Sequence, residues 1–458
     1  MGGEPIISVS GLRGIVGDTL TPVVASRYAA AFAEQLPAGP VLVTRDGRAN
    51  GGALVAPIVA GLSQSGRHTV IDGGIAATPT TGVLVRDRKC VGGVQLSASH
   101  NPAEWNGMKL FSSEGRVVPG EFGQRVLENY RTTASQQRAM SSEHPAASIK
   151  PLADTVVAHL SLVEKTVDVA RICEAGFRVL LDSNHGAGSV VGGPLLKRMG
   201  CRVKVLGEKP NGLFAHLPEP TAENLAGVCE QVTRAGAAIG FCQDPDADRL
   251  AIIDENGRYL GEEYTLAICV DHVLRHTPGP VVTNCSTSRM TEDLAAKYGM
   301  PFFRSAVGEA NVVDEMLARG AVLGGEGNGG VIDPRVVLVR DSFVGMALVL
   351  AAMAERALPV SALADELPRY AIHKTKIELR ADKVPAALDA LEKRFTDATP
   401  DRLDGLRLDF PTKAGRGGSW LLVRASNTEP IVRAIAEAPT QAEAKTLCTK
   451  ALTTMGSI

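Results

Sequence analysis

The sequence is poor in features that commonly announce a function. None of its eight cysteines stands in a C-x-x-C spacing, which excludes a zinc ribbon and, in a chain this long, a disulfide framework. A formal net charge of -2 gives no basic field for nucleic acid or an anionic membrane surface. The apolar runs are broken by charge, Gly or Pro too soon to span a bilayer, and Met1–Pro5 opens no basic-then-apolar leader. No G-x-x-x-x-G-K-[ST] loop and no H-R-D set is present, so P-loop and kinase-type phosphoryl transfer lack support. A soluble protein of the reducing cytoplasm is expected, without nucleic-acid or membrane partners and with its oligomeric state open.

What is present is a rhythm. With 458 residues, 45% hydrophobic and 21% charged, the chain is long enough for several cores and is not disordered. Three stretches open on β-branched runs, at 41–46, 179–184 and 281–285. Each is followed by a helix-like segment, a second apolar run (69–71, 202–206, 301–303) and later a third (93–96, 238–241, 321–323). That alternation predicts three similar α/β domains on mainly parallel, mixed sheets. Beyond about residue 370 the pattern changes to a smaller α+β domain. Boundaries are expected at 1–155, 156–257, 258–370 and 371–458, around a central cleft.

Each third run leads into a chemically loaded segment: Ser97-Ala-Ser-His-Asn-Pro102, Asp244-Pro-Asp-Ala-Asp-Arg249 and Gly324-Gly-Glu-Gly-Asn-Gly-Gly330. Ligands in open α/β sheets bind beyond the carboxyl ends of strands. Asn101-Pro102 alone reads as a simple turn. Asp244, Asp246 and Asp248, at every second position of a segment read as extended, offer hard oxygens to one side and suit Mg²⁺. Glu255 at the twelfth position raises an EF-hand as rival, but Arg249 fills the position that needs Gly and Leu250–Ile253 reads as a strand. In the last domain Arg424-Ala-Ser-Asn-Thr-Glu-Pro430, with Arg433 close behind, has the donors a phosphate dianion needs, although a plain turn shares the same letters. Ser8–Gly17 reads as a Gly-rich loop presenting Arg13 to an anion.

The order Ser-Gly-Leu-Arg-Gly, Ser-His-Asn-Pro, Asp-Pro-Asp-x-Asp-Arg, Gly-Glu-x-x-Gly, Arg-x-Ser-Asn-Thr-Glu-Pro resembles the α-D-phosphohexomutase superfamily over essentially the whole chain. The resemblance implies that Ser99 carries a phosphoryl group and that Mg²⁺ bridges it to Asp244, Asp246 and Asp248. It implies that Arg13, Lys109 and Arg249 attend the transfer, with His100 supporting the phosphoserine segment and a sugar bisphosphate as activator. Gly308, Glu309, Glu326 and Asn328 would meet the hexose or hexosamine phosphate. Arg424, Ser426, Asn427, Thr428 and Arg433 would hold its non-reacting phosphate.

Val307-Gly-Glu-Ala-Asn311 together with the Glu326 segment is most similar to the phosphoglucosamine mutase branch, with phosphomannomutase/phosphoglucomutase as the alternative. Many hexose mutases carry Ser and His where this chain has Asn328 and Gly330, so those sugar contacts do not carry over. A non-catalytic sugar-phosphate sensor would keep the Arg424 segment without needing both Ser99 and the aspartates; their joint presence favours an enzyme.

Overall fold

The computed structural model describes residues 4–136, 149–411, 418–425 and 431–456. The chain forms two compact units, Met1–His272 with Asn328–Ala364, and Val273–Gly327 with Asp365–Ile458.

The first unit opens on a seven-stranded mixed sheet. Gly92–Leu96, Gly39–Arg45, His68–Ile75 and Ile149–Pro151 run parallel, and Trp105–Ser112, Gly11–Ile15 and Ile6–Ser8 extend it antiparallel on the other side. Val41, Val43, Val94 and Leu96 share one core with helices Pro22–Glu34 and Gly52–Ser63, while Thr44 and Gln95 on the other face meet Thr81 of helix Thr78–Asp87, so both faces of these parallel strands are covered. Helix Pro22–Glu34 starts where its residue types predict, with Thr21 accepting from the Val24 N–H at 3.3 Å and Pro22 in the first turn. Arg13 lies on a strand opposite Gly107 and not in the open loop that its flanking glycines suggested.

The second sheet of this unit places Arg178–Asp182, Ile239–Gln243 and Arg202–Leu206 in parallel and returns antiparallel through Leu250–Asp254. Between Gln243 and Leu250 the chain does not stay extended. Ala247 adopts φ +57° and its N–H bonds the Asp244 carbonyl at 2.9 Å, so a tight turn, and not strand alternation, gathers the three carboxylates. Gly186 admits the close approach of this turn: a Cβ there would stand 2.4 Å from the Pro245 carbonyl oxygen.

In the second unit Phe302–Ser305, Val281–Asn284 and Leu323–Glu326 are parallel neighbours. The last of these begins where the predicted run ends, so Glu326 sits on a strand end. The C-terminal sheet is antiparallel in the order Ala371–Glu378, Ile431–Ala438, Ser419–Ala425, Leu406–Phe410, Thr399–Asp401, backed by helices Val384–Arg394 and Gln441–Gly456. No helix among the described residues is long and apolar enough to cross a membrane.

One tie in the first unit titrates. His216 Nε2 meets Asp182 Oδ2 at 2.7 Å and its Nδ1 meets the Leu217 carbonyl at 2.8 Å, so both ring nitrogens face acceptors. Burial alone would lower its pKa, but the bond to and charge of Asp182 prevail and raise it. The folded value thus lies above the unfolded one, and the stabilisation is full below about pH 6.5 and lost as pH rises through the raised value. His216→Gln is expected to lower the melting temperature most at about pH 6 and least at about pH 9. A gap that does not change with pH would show the ring to be neutral.

Candidate active site

Strand Gly92–Leu96 is buried along its whole length, and the chain turns at its carboxyl end. Ser99 adopts φ +49°, a left-handed conformation that costs a serine about 1–2 kcal/mol and must be held by its surroundings. Its N–H bonds Ser97 Oγ at 2.8 Å, and Ser97 in turn donates to Asp46 Oδ2 at 2.7 Å. Ser99 Oγ is thereby aimed at Asp244, donating to Oδ2 at 2.6 Å. His100 Nδ1 stands 3.4 Å from the same hydroxyl.

The aspartate turn meets the first sheet's elements closely. Asp244, Asp246 and Asp248 are wholly buried, each offering an oxygen within 4.8 Å of the others. Lys109 Nζ reaches Asp246 Oδ2 at 2.6 Å and Asp248 Oδ2 at 2.7 Å. Arg340 Nη2 reaches Asp248 Oδ2 at 2.5 Å, and Thr78, at the start of helix Thr78–Asp87, donates its hydroxyl to Asp246 Oδ2 at 2.6 Å. The second carboxylate oxygens, Oδ1 of Asp246 and of Asp248, are buried with no hydrogen-bond partner. Orphaned buried carboxylate oxygens are costly, and this pair beside Asp244 fits a hard divalent cation.

Charge decides the protonation states. Burial first, then Asp246 and Asp248, pushes the Asp244 carboxyl well above the usual range. Burial works the same way on Asp246 and Asp248, but Lys109 and Thr78 together outweigh it at the former, and Arg340, Lys109 and Arg249 together at the latter, so both lie below the usual range. Burial, then the charges of Arg249 and Arg13, holds the His100 imidazole down to about 2, so it is neutral at physiological pH. Arg13, Lys109, Arg249 and Arg340 bring four cations to three carboxylates, a balance suited to a phosphoryl dianion.

The second unit gathers the other expected residues in its own way. Glu326, 5% exposed, has its Oε1 held by Asn284 Nδ2 at 2.7 Å and by the Gly308 N–H at 3.3 Å. Gly308 caps helix Glu309–Arg319 at φ +123°. Asp404 Oδ2 accepts the Val307 N–H at 3.0 Å and pairs with Arg424 Nε at 3.1 Å, so one carboxylate touches both segments. Arg424 stands opposite Arg433, and Arg433 opposite Lys376, a row of cations across three strands. Ser426, Asn427 and Thr428 lie outside the described residues. Asn328 belongs to the first unit, where its Oδ1 accepts the Gly330 N–H at 3.2 Å. Thr78, Arg340, Asp404 and Lys376 escape a motif search because each is an ordinary residue type far along the chain from its partner.

A buried serine hydroxyl, three carboxylates and surrounding cations make up the equipment of an enzyme that moves phosphoryl groups. Residues 6–137, 158–257, 262–370 and 378–453 match, in turn, the phosphoglucomutase/phosphomannomutase alpha/beta/alpha domains I, II and III and the C-terminal domain. The chain is 35% identical over 445 residues to the phosphoglucomutase/phosphomannomutase of Thermococcus kodakarensis, covering 95% of each. It is 33% identical over 447 residues to a probable phosphoglucosamine mutase of the same organism, covering 96% of each. A phosphoglucomutase/phosphomannomutase family protein from Burkholderia thailandensis superposes with a TM-score of 0.82 at 25% identity, over 100% of this chain and 98% of that one. The chain belongs to this family, within the α-D-phosphohexomutase superfamily, and is an intramolecular phosphotransferase.

Lys109→Met leaves Asp246 without its only charged hydrogen-bond donor among the described residues. Removing one member of a buried pair is expected to cost about 3–5 kcal/mol, read as a lower urea midpoint, with part of the loss recovered on adding Mg²⁺. An unchanged midpoint would show that the carboxylates are neutralised by other means.

Proposed function

We propose that this enzyme interconverts glucosamine 6-phosphate and glucosamine 1-phosphate through a phosphoryl group on Ser99 and a sugar bisphosphate intermediate. The observation that carries the reading is Ser99 Oγ at 2.6 Å from Asp244 Oδ2, beside the unpartnered oxygens of Asp246 and Asp248. In the forward half-reaction a sugar hydroxyl forms a P–O bond to the phosphorus on Ser99 as the bond to Ser99 Oγ breaks. The hydroxyl gives up its proton, and Ser99 Oγ takes one up. The bisphosphate then turns around and returns its other phosphoryl group to Ser99.

The chain's own groups divide this work. Asp244, Asp246 and Asp248 hold Mg²⁺, which supplies Lewis-acid neutralisation of phosphoryl charge when bound. Arg13, Arg249 and Lys109 neutralise the equatorial oxygens in a site from which burial excludes water. His100, neutral, supports the Ser99 turn. Arg424 and Arg433, with Ser426, Asn427 and Thr428, take the non-reacting phosphate, and Glu326, Gly308, Glu309 and Asn328 take the sugar. We assign one such role to each of four domains divided near residues 155, 257 and 370, and a cytoplasmic location suits its eight free thiols. The second reading, phosphomannomutase/phosphoglucomutase, is favoured by the 35% identity to the Thermococcus kodakarensis protein of that name.

Comparing kcat/KM for glucosamine, glucose and mannose 6-phosphates, with glucose 1,6-bisphosphate as activator, separates the two. The highest value is expected on the glucosamine ester, and a higher value on mannose or glucose would replace the first reading by the second. Mass spectrometry should find phosphate on Ser99, and Ser99→Ala should lose nearly all turnover; full activity in that variant would end the phosphoserine assignment. Glu326→Gln is expected to change discrimination among the three sugars by about 1–3 kcal/mol, since a charge-assisted bond is lost. An equal effect on every sugar would mark Glu326 as purely structural.

A further inference from the structure

Behind the Ser99 turn lies an ion pair that none of the roles above uses. Arg48 and Asp46 are 2% and 1% exposed. Arg48 Nε donates to Asp46 Oδ2 at 3.0 Å, and the same carboxylate oxygen receives Ser97 Oγ, which in turn receives the Ser99 N–H. The far end of the guanidinium faces main-chain oxygen alone. Nη2 donates to the carbonyls of Ser99 at 2.6 Å and Asn101 at 2.7 Å, and Nη1 to those of Pro102 at 2.6 Å and Trp105 at 3.3 Å. Phe214 covers the guanidinium, its ring centroid 5.0 Å away. Gly47 and Gly212 allow this cover to lie close, a Cβ at either falling within 2.8 Å of backbone across the contact.

We propose that Arg48 is the positioning residue that holds Ser99 in register with Asp244 for phosphoryl transfer, an inference that rests on the phosphoserine reading. The reasoning is geometric. Ser99 sits at φ +49° with no glycine to ease it, and its carbonyl converges on one guanidinium with those of Asn101, Pro102 and Trp105. Only a planar group with several fixed donors satisfies four carbonyls while still pairing with a carboxylate, and guanidinium is the side chain of that shape. Asp46 orients the guanidinium and, through Ser97, also grips the Ser99 N–H. Ser99 is thus held at its N–H by one member of the ion pair and at its carbonyl by the other. A lysine cannot reproduce the fork.

The test uses the full chain with Arg48→Met, Arg48→Lys and Arg48→Ala, comparing kcat, KM and amide exchange over residues 97–105. A misplaced nucleophile lowers the chemical step and not binding, so Arg48→Met is expected to lose about 100-fold in kcat with KM within about threefold, and its 97–105 amides to exchange faster. Arg48→Lys supplies the same readouts should Arg48→Met not fold. Millimolar guanidinium is expected to restore part of the turnover of Arg48→Ala and none to Ser99→Ala. Wild-type exchange over 97–105 together with wild-type kcat in these variants would overturn the assignment. If wild-type Ser99 takes up no phosphate from glucose 1,6-bisphosphate, the mutase reading fails by itself, and exchange over 97–105 decides the role of Arg48.

Discussion

Three fully buried carboxylates within 4.8 Å of one another would repel and remain unsolvated, and the first unit offsets that cost with two cations and a hydroxyl from elements far apart in sequence. Lys109 comes from a strand of the first sheet, Arg340 from the segment preceding helix Ser342–Arg356, and Thr78 from the start of another helix. Each must arrive at once, because a single missing partner leaves a buried charge exposed to its like neighbours. The proposed metal site and the packing of the sheets are therefore one problem. Burial first, and then the charges of Arg249 and Arg13, keep His100 neutral beside Ser99.

Backbone conformation does the finer placement. Ser99 and Ala247 both take positive φ without being glycine, and both stand in the turns whose side chains meet at Asp244. Such conformations persist only where the surroundings over-determine them. Around Ser99 the determining groups are Ser97 and the Asp46–Arg48 pair; at the aspartate turn they are the Asp244 carbonyl and Ser342, whose hydroxyl donates to the Ala247 carbonyl at 2.7 Å.

The second unit uses a similar device at lower cost. Asp404 is shared between the Val307 N–H and Arg424, tying the segment proposed for the sugar to the arginine proposed for the phosphate. Below it Arg407, 2% exposed, forks onto Asp409, donates to the Cys285 carbonyl and stacks on Trp420 at 4.3 Å. Glu437 accepts from both the Trp420 indole and the Arg289 N–H at 2.8 Å. These buried polar contacts join the parallel strands to the antiparallel sheet.

Much of this was legible in the residues themselves. Apolar runs separated by helix-like stretches mark the strands because a strand buried on both faces must be apolar, and Gly92–Leu96 and Arg202–Leu206 fall where those runs put them. Motif order marks Ser99 and the aspartates because hydroxyl and carboxylate clusters after apolar runs are chemically conspicuous. The left-handed turns at Ser99 and Ala247 are not legible, since neither residue type announces positive φ, and the alternating Asp segment by itself reads as extended. Nor were Arg48, Thr78, Arg340 and Asp404, because Thr78 and Asp246 are 168 positions apart and nothing local records which distant loop a side chain will meet. The sequence by itself determined the inventory of reactive groups and the strand rhythm, which depend on residue type and spacing. Only the tertiary structure decided which cation neutralises which carboxylate, because that depends on how sheets bring loop ends together.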